Sequence, residues 1–239
     1  MSGHSKWSTI KRKKEKTDQQ RAKVFTKIGR ELAVAVKQGG PDPNVNSKLK
    51  DCIAKAKANN YPSDNIDRII KKAAGEGDSN NYEEIVYEGY GPNGVAVVVE
   101  TLTDNRNRTA GDLRHYFDKS GGNMGQSGSV MFMFTRSGVI LVAADSMDED
   151  VCLELSLDAG ADDFNTVEEA YEIICGPNDL GKVSEALEKG GAKILSCEIE
   201  YIPSNTVSLD EDAALRMEKL IDSLEDNDDV QGVWHNWEE

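Results

Sequence analysis

The chain is poor in the residues that mark metal and redox chemistry, with four cysteines and three histidines in 239 residues. Cys52, Cys152, Cys175 and Cys197 form no CxxC pair, a poor framework for disulfides or zinc and a composition that fits a reducing compartment. His4, His115 and His235 are far apart, which argues against a histidine-rich metal centre. No apolar run approaches the roughly 18–20 residues of a membrane helix. The first 30 residues are basic and polar and lack the apolar stretch of a secretory signal. With no presequence before Met1-Ser2-Gly3, the expectation is a bacterial cytoplasmic protein.

Catalytic patterns are equally scarce. There is no HExxH, no GxSxG, and no cysteine with a histidine nearby. The acidic runs at 145–150 and 225–229 do not make an EF-hand: counted from Asp226, the sixth position is Gln231 and the twelfth Trp237. The glycine-rich stretch Gly121 to Gly128 follows an expected helix and precedes an expected strand, and it lacks Gly-Lys-Ser/Thr. A phosphate cradle needs strand, loop and then helix N-terminus. This loop therefore reads as a flexible connection, with RNA contact through its backbone N–H groups as the lesser alternative. These absences favour a binding protein over an enzyme, with no cofactor, no metal, no membrane and no evident small-molecule substrate.

Charge is abundant and uneven. The formal net charge is −15, yet residues 1–80 carry +9, residues 81–134 carry −3 and residues 135–239 carry −21. A basic head on an acidic body points to a polyanionic partner held at one end, because the body repels the same polyanion. The alternative is a basic helical head docked on the chain's own acidic part.

Hydrophobic spacing divides the chain into three. Phe25, Ile28, Leu32 and Val36 predict a helix over 19–38, ended by Gly39-Gly40-Pro41. Val45, Leu49, Ile53 and Ala56 predict a second over 45–59. Ile66, Ile69, Ile70 and Ala73 predict a third, with Ser63 or Asp64 as N-cap. Residues 75–81 have linker composition. Strands are expected at 82–90 and 94–102 around Gly91-Pro92-Asn93-Gly94, then a helix at 107–119 and a strand at 129–134. A helix at 210–225, with Ala213, Leu215, Leu220, Ile221 and Leu224 inside, and a strand at 229–237 complete that unit. Between them, 138–143, 148–159, 162–166, 169–175, 178–189 and 193–201 read as βαββαβ, the ferredoxin-like plan. The expected fold is α+β and multidomain: a basic helical domain at 1–80, and two α/β ferredoxin-like units, one inserted in the other. The inserted acidic unit spans 136–204, and the discontinuous one 81–135 plus 205–239.

The binding candidates cluster near the N-terminus. Gly3-His4-Ser5-Lys6-Trp7 precedes Lys11-Arg12-Lys13-Lys14. Lysine and arginine neutralise phosphates and release counterions, and a tryptophan among them can stack on an unpaired base. A solubilising tail with Trp7 packed on the first helix is the competing reading. Lys23, Lys27 and Arg30 extend the basic face along the first helix, and Lys48, Lys55, Arg68, Lys71 and Lys72 add to the head. Arg106 and Arg108 stand at a strand-to-helix junction in a unit with few basic residues, suited to phosphate or to acids of their own chain.

The segments GHSKWSTIKRKK, NSKLKDCIAKAKANNYPSDNIDRIIKKA, YEGYGPNGVAVVVETLTDNRNRTAGDLRHYF and GGNMGQSGSV, with IPSNTV and DDVQGVWHNWEE near the end, resemble the YebC family over almost the whole chain. Its eukaryotic mitochondrial relative is a translational activator of cytochrome c oxidase. Phe132-Met133-Phe134 and Trp237 are mild departures from the family's usual aromatics. The resemblance implies a helical head with two α/β units. It implies one of two roles, a DNA-binding transcriptional regulator or a translation factor that acts on the ribosome at difficult sequences such as proline runs. It gives His4, Lys6, Trp7, Lys11, Arg106 and Arg108 the status of candidate nucleic-acid contacts. With no helix-turn-helix carrying a polar reading helix and no zinc finger, the residues favour ribosomal RNA over duplex DNA.

Overall fold

The computed structural model describes residues 18–75 and 82–238. Three helices open the described chain: α1 (Asp18–Gly39), α2 (Ser47–Ala58) and α3 (Ser63–Ala74). They bury one another's apolar faces through Ile28, Leu32, Val36, Leu49, Ala56, Ile66 and Ala73. Phe25, at the rim, packs against Tyr61 with the rings tilted by 52° and their centroids 4.7 Å apart. Asn46 joins α1 to α2. Its Oδ1 accepts from the Leu49 N–H at 3.0 Å, and its amide donates to the Ala35 and Gly40 carbonyls at 2.8 and 2.7 Å. This cap starts α2 two residues later than the apolar spacing suggested, and leaves Val45 outside the helix and 79% exposed. The N-cap expected at Ser63 or Asp64 is also corrected. Pro62, with extended backbone, occupies the cap position of α3 and no side chain caps it. Ser63 is already helical there.

The next elements are β1 (Glu83–Tyr90), β2 (Ala96–Thr103), α4 (Arg106–Lys119) and β3 (Asn123–Met124). β1 and β2 form an antiparallel hairpin, Tyr90 opposite Ala96. Asn93 and Gly94, both at positive φ, make the turn. Far along the chain, α7 (Glu211–Asp226) and β9 (Val230–His235) return to this sheet, whose order is β3-β1-β2-β9. Ala213, Met217, Leu220, Ile221 and Leu224 are the buried face of α7. Leu215, expected inside, is exposed, because the 3.6-residue period runs through Met217 instead.

The intervening chain is β4 (Phe134–Ala143), α5 (Glu149–Ala159), β5 (Ala161–Val167), β6 (Ala170–Cys175), α6 (Leu180–Lys189) and β7 (Ile194–Pro203). Its sheet runs β5-β6-β4-β7 with every neighbouring pair antiparallel, the ferredoxin-like βαββαβ arrangement. Ile140, Val142, Tyr171, Ile173, Val183 and Leu187 form its core. The strand expected at 129–134 is not formed. Residues 131–133 make a 3-10 turn and Phe134 begins β4. A two-stranded parallel ladder joins β8 (Val207–Ser208) to β10 (Trp237–Glu238).

The chain thus folds as an α+β protein in which one α/β unit interrupts another. It separates into two compact units. One runs from the N-terminal helices to Val130 and resumes over Leu209–Val233; the other holds Met131–Ser208 and Trp234–Glu239.

Candidate nucleic-acid interface

His4, Lys6, Trp7, Lys11, Arg12, Lys13 and Lys14 lie outside the described residues. The remaining sequence candidates divide by the company they keep.

Lys23 and Lys27, with Arg30, make one basic stripe on α1, and the structure brings that stripe against the acidic end of α7. The Lys23 ammonium meets the Asp226 carboxylate at 2.9 Å. Lys27 donates to the Glu225 carbonyl at 2.6 Å. Arg30 donates to the Asp228 carbonyl at 2.7 Å and to Asp229 Oδ1 at 2.8 Å. Cations suit this place for a further reason: the last carbonyls of a helix carry its negative dipole end. Basic side chains that read as one free helix face therefore have acidic partners about 200 residues away, a pairing without local signature.

Arg108 enters the same cluster from α4. Its guanidinium donates to Asp104 Oδ1 at 2.9 Å and to Asp229 Oδ2 at 2.7 Å. Thr109 Oγ1 donates to Asp229 Oδ2 at 2.8 Å. Asp229 is thus a buried carboxylate holding α1, the start of α4 and the approach to β9. Burial acts to raise its carboxyl, but hydrogen bonds from Arg108, Thr109 and Arg30 outweigh that and hold it below its ordinary value. The same bonds, from Asp229 first and Asp104 second, raise Arg108 above the ordinary guanidinium value. Asp229 went unsingled in the sequence, where it is one of several acids in a row. Arg106, by contrast, is exposed at the first turn of α4, and its backbone carbonyl accepts from the Tyr87 hydroxyl at 3.4 Å.

On the helical head, Lys55 pairs with Glu31 at 2.8 Å and Lys48 pairs with Glu84. Lys50, Lys57, Lys71 and Lys72 are exposed, and none has an ion pair among the described residues. Lys50 and Lys57, one heptad apart on α2, were missed because their neighbours Lys48 and Lys55 mask them in the composition.

The glycine-rich loop is not a loose connection. The buried Glu88 carboxylate accepts from the N–H groups of Gly128 at 2.6 Å and Val130 at 2.8 Å. Gly125 N–H bonds the Glu88 carbonyl at 2.8 Å. The two N–H groups that could have cradled a phosphate there already hold a carboxylate. This also explains why 129–130 do not continue as a strand: the Ser129 N–H closes a turn on the Gln126 carbonyl at 3.1 Å, and the Val130 N–H is held by the Glu88 carboxylate of β1.

Cys52 and Cys175 are poorly placed to ionise. Burial, then the nearby Glu31, pushes Cys52 up to about 12. Burial, then Cys197, pushes Cys175 up to about 11. Among the described residues no group of His, Cys, Asp and Glu is arranged to hold a metal ion, and no helix is long and apolar enough to cross a membrane.

Two family models match the sequence. One, described as the TACO1/YebC protein N-terminal domain, covers residues 5–76; the other, TACO1/YebC second and third domain, covers 82–237. A curated protein of Acetivibrio thermocellus, 61% identical over 99% of each chain, is named a probable transcriptional regulatory protein. One from Caldicellulosiruptor saccharolyticus bears the same name and is 58% identical over 100% of this chain and 99% of its own. The crystal structure of a conserved hypothetical protein from Aquifex aeolicus superposes with a TM-score of 0.84 at 46% identity, covering 93% of this chain and 92% of that one.

Proposed function

The chain belongs to the TACO1/YebC family, and from that premise we propose that it is a nucleic-acid-binding regulator of gene expression whose contacts lie on the basic head. The observation that carries this reading is the +9 charge of residues 1–80 on a chain of net charge −15. Of the lysines that make up this charge, Lys50, Lys57, Lys71 and Lys72 are exposed and without ion pairs among the described residues. Lysines so placed bind phosphate without reading sequence.

The name that these relatives bear supports regulation of transcription, and so a duplex DNA partner, better than any other reading. The head's chemistry supports RNA. α2 and α3 are joined by a short turn, as in a helix pair that reads DNA, and such a pair contacts base edges with the N-terminal residues of its second helix. In α3 those residues include exposed Asp64 and Asp67, which repel a phosphate-lined groove, while Lys71 and Lys72 sit at the far end. A basic arm with Trp7 suits unpaired bases instead, as in ribosomal RNA and a role in translation. Trp7→Ala decides between the two. On the RNA reading it weakens binding to looped RNA or ribosomes by about 1–3 kcal/mol and leaves duplex DNA binding nearly unchanged at the same salt. Equal loss on both, with melting temperature unchanged, removes the stacking role and leaves the transcriptional reading ahead.

A further inference from the structure

We propose that the outer part of the α1 stripe is a phosphate-binding surface whose resting occupant is Asp226 in the chain's own acidic segment 225–229, so that nucleic acid binds there by displacing that carboxylate while the inner Arg30–Asp229 pair stays in place. This rests on the nucleic-acid reading above and adds its regulation.

The stripe has the form such a surface needs. Lys23, Lys27 and Arg30 recur at spacings of four and three, one face of α1, over about 10 Å of helix. Each is met by oxygen from the acidic segment: Lys23 by the Asp226 carboxylate, Lys27 by the Glu225 carbonyl, and Arg30 by the Asp228 carbonyl and the Asp229 carboxylate. Carboxylates and helix-end carbonyls present to a cation what a phosphate presents, partial or full negative charge on oxygen.

The contact is graded along the helix. At the outer end both partners are solvated, with side-chain exposures of 40% for Lys23 and 67% for Asp226. At the inner end Arg30 and Asp229 are 20% and 5% exposed, and Asp229 is held also by Arg108 and Thr109. The outer pair can exchange its partner at little cost while the inner pair keeps α1 in place. A polyanion has an advantage over Asp226, because each phosphate that replaces it also releases condensed counterions. The competing segment carries four acids in five residues, Glu225, Asp226, Asp228 and Asp229, so it raises the threshold for binding and restricts it to densely charged partners.

The test uses the full chain, a labelled single-stranded RNA and a duplex DNA of equal length, titrated over a range of salt. Asp226→Asn removes the outer competitor and leaves the stripe intact. Glu218→Gln makes the same charge change two turns earlier on α7 and controls for net charge. Expected is a gain in affinity of up to about fivefold for Asp226→Asn beyond that of Glu218→Gln, the population shift that losing one exposed ion pair permits. The slope of log K against log salt should stay close to that of the wild type, because Lys23 meets a phosphate in both proteins. Lys23→Ala should cancel that gain in the Asp226→Asn background and have little effect in the wild type. Equal affinities for Asp226→Asn and Glu218→Gln, with the wild type binding normally, overturn the displacement and leave the nucleic-acid reading standing. No binding of either probe by any variant overturns both. A lowered melting temperature for Lys23→Ala with unchanged binding in both backgrounds marks the stripe as structural and overturns the proposal.

Discussion

Asp229 concentrates more of the tertiary structure than any neighbouring residue. Arg30 and Arg108 reach it from two helices and the Thr109 and Thr103 hydroxyls add to its bonds, while its own carbonyl accepts from the Leu102 N–H at 2.7 Å at the end of β2. Removing the charge leaves two guanidinium groups facing a weaker acceptor, so Asp229→Asn should destabilise by about 2–3 kcal/mol at neutral pH. The pH dependence has a definite sign. A carboxyl held below its unfolded value contributes stability that is fully present above the unfolded value, about 3.9 for aspartate, and is lost as pH falls through the folded one. Thermal melts of wild type and Asp229→Asn should therefore be well separated at pH 7 and converge as pH drops below about 4. A gap that persists unchanged at acid pH would show that the carboxylate charge is not its source.

Among the elements, β1 shows how a strand positions two neighbours at once. Alternate residues face opposite sides. On one side Tyr87 and Gly89 lie under α4; on the other Glu88 holds the glycine-rich loop. Gly89 is required by close approach: a Cβ there would stand 2.8 Å from the Asn123 carbonyl oxygen and 2.8 Å from the Phe117 ring. Neither a backbone carbonyl in β3 nor a fully buried ring can yield easily. Gly89→Ala should cost about 1–3 kcal/mol, read as a lowered denaturation midpoint with an unchanged slope.

At the scale of the whole molecule, the long-range strand order makes a prediction about folding units. The inserted βαββαβ segment begins and ends side by side: Phe134 is opposite Pro203 in the ladder, and Ser204 N–H bonds the Met133 carbonyl at 2.8 Å. An element that leaves and returns at one point can be removed without stretching the remainder. Deleting 134–203 and joining the ends through a short Gly/Ser linker should leave a chain that unfolds cooperatively, because β3-β1-β2-β9 with α4 and α7 keeps its own core. A deletion product that melts without a transition would show that this sheet depends on the insert.

Helix and strand existence was legible in the sequence because periodicity is a local property. Ile28, Leu32 and Val36 repeat at helical spacing whatever they pack on, and the βαββαβ order of 138–201 could be read from alternating patterns and turns. So could the basic head, which is arithmetic. Two errors fell where a side chain took over a backbone donor: Asn46, by capping Leu49, moved the start of α2, and Glu88, 42 residues away, took the Val130 N–H from the expected strand. The candidate interface was legible as charge but not as geometry. Lys23 and Arg30 are equally basic in the sequence whether they meet nucleic acid or Asp226 and Asp229, and only the return of α7 beside α1 settles which oxygen they hold in the free chain. An ion pair between residues 200 positions apart leaves no periodic trace, because Coulomb attraction depends on distance in space and not on distance along the chain.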